Sequence, residues 1–208
     1  MKQLFLVILF FMSSSSLFSQ KNIQLPEPQK TGGMPLMETL SKRATCRSFQ
    51  SKDLTNTQLS NLLWAAFGVN RPDGKRTAPS AMNKQEADIY VLLKSGVYVY
   101  NAEKNMLEMI SGNDERIYAG KQDFVKDAPV QLIVVASLSK MGDGTESDKL
   151  NLAFIDAGYI SQNIYLFCTS EGLATGARAW IDKETLSAKL KLKPDQRIII
   201  AHSVGYPK

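Results

Sequence analysis

Apolar residues recur along this chain at two spacings, and the changes of spacing divide it into elements. Leu59, Leu62, Leu63, Ala66 and Phe67 lie three or four apart, which puts them on one face of a helix. Thr55-Asn56-Thr57-Gln58 ahead of them has the form of a capping box, and Gly68 supplies the stop. A shorter periodic stretch, Leu36, Met37 and Leu40, follows Pro35 and predicts a helix continuing to about Thr45. Three β-branched and aromatic runs come next, Asp88–Leu93, Val97–Tyr100 and Met106–Ile110. Ser95-Gly96 and Glu103-Lys104-Asn105 separate them, so they predict a three-stranded meander. Val130–Ala136 is almost wholly apolar, the pattern of a strand covered on both faces. Helical spacing returns from Asp148 to Glu171, closed by Gly172, and again over Lys183–Leu190. Arg197–Val204 then reads as the last strand. The order α, α, β-meander, β, long α, α, β predicts the α+β class, with helices flanking a central, mostly antiparallel sheet.

The segments without periodicity are also informative. Gln20–Gly33 is polar, with two prolines and two glycines, and reads as an extended N-terminal arm ahead of a single domain, residues 34–208. Val69–Asn83 is a long Gly-, Pro- and polar-rich loop of the kind that carries function. Glu171–Arg178, after the long helix, reads as a small-residue loop whose backbone can approach a flat ligand closely. At the start, Lys2 precedes the apolar run Leu4–Met12 and then Ser13–Ser16, the form of a secretory signal over residues 1–19 with cleavage near Ser19 or Gln20. The run is too short to span a bilayer, so the expectation is an exported, periplasmic protein with no lasting membrane span, an uncut membrane-anchoring tail being the alternative.

Composition narrows the partners. The 208 residues are 44% hydrophobic and 22% charged, enough apolar material for one domain with a core of its own. Lys plus Arg outnumber Asp plus Glu by 25 to 20, but the basic residues are scattered, which argues against nucleic acid and suits a ligand carrying phosphate or carboxylate. An exported chain permits a disulfide between Cys46 and Cys168. Their spacing matches no redox or zinc motif, and the favoured reading is a helix-core Cys168 and an unpaired Cys46. With His202 as the single histidine, and no Gly-x-Ser-x-Gly elbow, neither a hydrolase triad nor a zinc site has support.

Four segments could carry chemistry, and each has an ordinary alternative. Arg43-Ala44-Thr45-Cys46-Arg47-Ser48-Phe49 offers two guanidinium groups and a hydroxyl to an anion, or is a solvated helix end. Ala78-Pro79-Ser80-Ala81-Met82-Asn83 offers amide and hydroxyl groups to a polar ring edge, or is a Pro-Ser turn. Asp156-Ala157-Gly158 and Gln162-Asn163 place polar groups inside an apolar helix, where a satisfied core network is the plain reading. Glu171-Gly172-Leu173-Ala174-Thr175-Gly176-Ala177-Arg178 is a ligand loop or a glycine cap with a connector.

Taken together, the four segments resemble the nitroreductase family of FMN-dependent oxidoreductases. Arg43–Phe49 is similar to that family's Arg-Arg-Ser-x-Arg opening, with Ala44 and Thr45 at the second and third positions. Leu62–Arg71 is similar to its shorter, SagB-type branch, and Arg76–Gln85 to the flavin-contacting Pro-Ser-x-x-Asn-x-Gln motif. Phe124–Pro129, Asp156–Gly158 with Gln162-Asn163, and Glu171–Leu173 extend the likeness over most of the chain. The resemblance implies an interlocked homodimer with FMN at two interface sites. Arg43 and Thr45 would hold the phosphate, Arg47 would face the pyrimidine edge, and Pro79, Ser80 and Asn83 would contact the ring or ribityl from the partner subunit. Gly172, Leu173, Gly176 and Arg178 would bring a backbone amide near N5, and Lys208 is the one basic residue after the last strand. It further implies hydride passing through N5 between a reduced donor, NAD(P)H or another, and a small organic acceptor, with no protein nucleophile and no metal. A flavin-dependent dehydrogenase or oxidase of an organic substrate, and a non-catalytic flavin-binding protein, are the alternatives. Tyr118, Phe124 and Trp180 read as pocket-lining or core residues.

Overall fold

Two of the helix starts are set by capping boxes. In the computed structural model, which describes residues 21–208, Thr55 Oγ1 accepts the Gln58 amide while Gln58 Oε1 accepts the Thr55 amide. Helix α2, Asn56–Phe67, starts there and ends at Gly68. A second capping box, Thr145 with Asp148, starts helix α3, Glu146–Ser170, two residues ahead of the sequence expectation. The first helix, α1 (Leu36–Lys42), is shorter than expected, because beyond Lys42 the chain turns extended to run along the sheet. Its apolar spacing does not mark a core face either: Leu36, Met37 and Leu40 are exposed, and Thr39 is buried. The predicted signal, residues 1–19, lies outside the described residues.

Seven strands form one antiparallel sheet: β1 (Ile23–Gln24), β2 (Ala87–Leu93), β3 (Gly96–Asn101), β4 (Met106–Ser111), β5 (Val130–Ser137), β6 (Ala174–Arg178) and β7 (Gln196–Gly205). Their spatial order is β1-β4-β3-β2-β5-β7-β6. The predicted meander is β2, β3 and β4. β5 is central and buried along its whole length, which explains its unbroken apolar run. Leu132, Val134 and Ala136 face a core built with α2 and α3, whereas Ile133 and Val135 face a second core closed by Leu186 and Leu190 of helix α4, Lys183–Leu190.

Two strands were not expected. β1 belongs to the N-terminal arm, which adds two residues to the sheet edge at β4 and is then tied down by Gln29 N donating to Asn61 Oδ1. β6 replaces most of the predicted small-residue loop: Ala174–Arg178 pair in register with β7, Gly176 opposite Ser203. Gly172, at φ +67°, ends α3 as predicted, and only Glu171, Gly172 and Leu173 connect helix to strand. Cys46 and Cys168 are both free thiols; Cys168 is buried in the core and its thiol is pushed up by desolvation. Among the described residues no helix is long and apolar enough to cross a membrane.

Candidate functional site

Beyond α1 the chain lies against the free edge of β6. Cys46 N donates to Thr175 O at 2.9 Å, and the missing side chain of Gly176 makes this approach possible. A Cβ there would stand 2.9 Å from Cys46 O and 3.5 Å from Thr45 Cγ2. Tyr165, on α3, organises the same spot from below. Its hydroxyl accepts the Ala177 amide at 3.0 Å and lies within hydrogen-bond distance, 3.0 Å, of Thr45 Oγ1. The Arg43 guanidinium sits over its ring at 5.3 Å, within cation–π range. Arg43, Thr45, Arg47 and Gly176 are thus brought together. Among the described residues, neither arginine pairs with a carboxylate. Two cations without carboxylate partners beside this cradle, which Gly176 opens for the chain's own Thr45–Arg47 backbone, suit a phosphate-bearing ligand. Tyr165 had no sequence signal of its own, since an aromatic at helical spacing reads as core.

Beneath the cradle lies His202, whose imidazole is within hydrogen-bond reach of Ser161 Oγ at 2.7 Å and Thr175 Oγ1 at 3.2 Å. Full burial, with the nearby Arg178 charge, pushes its pKa down to about 3, so it stays neutral and packs, as the sequence implied. The strand geometry also redefines Arg178. Rather than lying in a ligand loop, it points into the core, where Nε donates to Ala119 O at 3.0 Å, Nη1 to Ser203 Oγ at 2.9 Å and Nη2 to Gln131 Oε1. Burial lowers its pKa to about 10. Leu173 is likewise buried, and Gly172 is exposed at the helix end.

Pro79, Ser80 and Asn83 form a second cluster. Met82, Asn83 and Gln85 all hold positive φ, 51°, 52° and 47°, a strained run that needs support from outside the loop. Ser80 Oγ accepts the Gln85 amide at 2.9 Å, while Gln85 Nε2 donates to Asn83 Oδ1 and its Oε1 accepts from Arg76 Nε. Asp156 of α3 accepts the Ala81 amide at 2.8 Å. The Asp156 that the sequence singled out therefore holds the loop, and Asn163 donates to Ala66 O.

Asp156 and Tyr165 are nine residues apart, about 13–14 Å along α3 and two and a half turns around it. The two clusters consequently occupy opposite sides of one helix. Lys208 pairs with a carboxylate: its amide donates to Ser48 O, next to Arg47, and its ammonium lies 3.7 Å from Asp127 Oδ2. Phe124 is core, 6.2 Å from Phe49, whereas Trp180 is 65% exposed. A cavity of about 660 Å³ opens elsewhere, between the arm, α2 and α3, with Trp64, Asn70 and Asn163 in its wall. None of the residues expected to bind the cofactor lines it, although Asn163 and Glu171 of the candidate segments do.

Comparison with known proteins shows the family. The nitroreductase family profile matches residues 40–206, a span that includes both clusters, and the chain belongs to that family of flavin-dependent oxidoreductases. Among individual relatives, a protein of Methanocaldococcus jannaschii provisionally named a nitroreductase is 32% identical over 182 residues, 82% of this chain and 90% of its own. A crystal structure from Ralstonia eutropha, provisionally named likewise, is 38% identical, with a TM-score of 0.87 over 92% of this chain and 91% of that one. The fold also extends to an NADPH:FMN oxidoreductase of Vibrio harveyi solved with NAD+, at 17% identity and a TM-score of 0.63 over 83% of this chain and 69% of that one.

Proposed function

We propose that this protein is an FMN-dependent oxidoreductase of the shorter, SagB-type branch, acting as a homodimer on a small organic acceptor. The observation that carries the cofactor assignment is the pair Arg43 and Arg47, without carboxylate partners among the described residues, on the segment that Gly176 lets pack against β6. In this reading Arg43 and Thr45 take the phosphate, with Tyr165 fixing both. Arg47 faces the pyrimidine edge, where a fixed cation favours the reduced ring. Bound FMN supplies a hydride-accepting and hydride-donating N5; NAD(P)H is the proposed donor.

The position of Ser80 and Asn83 supports the dimer. They lie across α3 from the cationic cluster, so a single flavin reaches both clusters when the Pro79–Asn83 loop comes from the partner subunit. An apolar strip on α3, Phe154, Ile155 and Tyr159, stands 48–55% exposed and offers a surface for a second copy. Export is proposed on the sequence of residues 1–19 alone.

The test is a spectrum. Protein lacking residues 1–19, incubated with FMN and desalted, is expected to keep the visible bands of an oxidised flavin at one equivalent per chain, and to lose them on anaerobic addition of NADH or NADPH. Colourless protein overturns the cofactor assignment. Flavin that bleaches only with an organic substrate favours a dehydrogenase or oxidase, and flavin that only dithionite reduces favours a non-catalytic binder.

A further inference from the structure

Glu86 follows the Ser80–Gln85 loop and leads into β2, and its side chain is fully buried with no hydrogen-bond donor reaching either carboxyl oxygen. Its backbone is fixed, since Ser137 N donates to its carbonyl at 2.9 Å. The charged groups facing the carboxyl are the neighbouring, buried Asp156 carboxyl from α3 and the Lys140 ammonium after β5. Lys140 Nζ donates to Gln85 O at 3.4 Å and to Asp88 Oδ1 at 3.3 Å, so it lies beside the pair without bonding to it. Two buried carboxyl groups in contact cannot both be ionised; a proton on one turns repulsion into a short, charge-assisted bond. Asp156 already accepts the Ala81 amide. The proton therefore belongs on Glu86, whose pKa burial, reinforced by Asp156, raises to about 7.

We propose that Glu86 is a positioning residue whose acid proton bridges to Asp156 and, through the Asp156–Ala81 bond, fixes the strained Ser80–Asn83 loop. What that loop touches rests on the flavin reading above; the anchor itself does not. Neutral amide at position 86 keeps a donor for Asp156, whereas an aliphatic side chain offers none. Ionising Glu86 would break the bridge and release the loop as pH passes through neutrality.

Flavin-free protein can be tested directly, by carboxyl-carbon NMR of glutamate-labelled material and by hydrogen exchange at Ala81. One glutamate is expected to titrate near pH 7 and to vanish in Glu86→Gln. Ala81 protection, corrected for intrinsic exchange, is expected to fall about tenfold between pH 6 and 8.5 in the native chain, because ionised Glu86 cannot bond Asp156. The same protection should stay flat in Glu86→Gln and low throughout in Glu86→Leu. If Glu86→Leu does not fold, the native and Gln chains decide. Glu86 titrating in the ordinary carboxylate range, or Ala81 protection with the same pH profile in native and Gln proteins, overturns the proposal. The expected exchange pattern in a protein that binds no FMN supports the anchor and overturns the flavin reading alone.

Discussion

Arg43 and Arg47 are four residues apart but have different surroundings, and the difference predicts separable effects. Arg43 is partly buried over the Tyr165 ring, while Arg47 is exposed beside Gly176. Arg43→Ala is expected to weaken FMN binding by about 1.5–3 kcal/mol, the worth of one charged hydrogen-bonded contact. Arg47→Ala is expected to retain flavin at a lower midpoint potential, read by dye-equilibrated reduction, and equal effects of the two on both quantities would refute the division of roles. His202 carries a pH prediction. Its folded-state pKa, about 3, lies below the unfolded value near 6.5, so the unfolded chain binds the extra proton between them. That contribution to stability is present above about pH 6.5 and is lost as pH falls toward 3. A denaturant midpoint that drops over this window, less steeply in His202→Asn, is the expected outcome. At this scale the arginines and Asp156 were legible because charge in an apolar or Gly-rich setting stands out in a sequence. Tyr165 was not, since its hydroxyl acquires meaning only when α3 passes beneath β6.

Elements with strong periodicity or caps were legible: α2, α4 and β2 to β5 lie within a few residues of where the sequence put them. β6 was not, for a physical reason. Ala-Thr-Gly-Ala has neither the bulk nor the alternation that marks strands, because one side of it must admit the backbone of Thr45–Arg47. The same reason makes Gly176→Ala a test of the element. An added methyl 2.9 Å from Cys46 O must push the segment away, because the obstacle is backbone. Reduced thermal stability together with weakened FMN binding is expected, and unchanged binding would show that the Thr45–Arg47 segment does not need this approach. α1 shows the opposite error, since its apolar spacing marks exposed residues and not the core.

The molecule as a whole carries more exposed apolar side chains than its own core explains, concentrated on α3 and α1 and at Met82. Scattered apolar residues are ordinary on a surface, but a strip on the longest helix fits an interface. Ile155→Asp is expected to convert dimer to monomer in light scattering, and to abolish FMN binding along with dimerisation if each flavin bridges two subunits. A monomer that keeps flavin would place the whole cofactor site within one chain. The proposed interface rests, at the level of sequence, on resemblance alone. An exposed Phe-Ile-x-x-x-Tyr strip looks, in sequence, like any other helix interior.

The contact between Cys46 and Thr175 has one more consequence. β6 ends the sheet, and a bare terminal strand is a template on which a foreign strand can add. The arginine-bearing stretch caps this rim, so the residues that would greet a ligand also keep the protein from recruiting its own kind. Lifting the Thr45–Arg47 backbone off β6, as distinct from trimming a side chain on it, would therefore show first as insolubility.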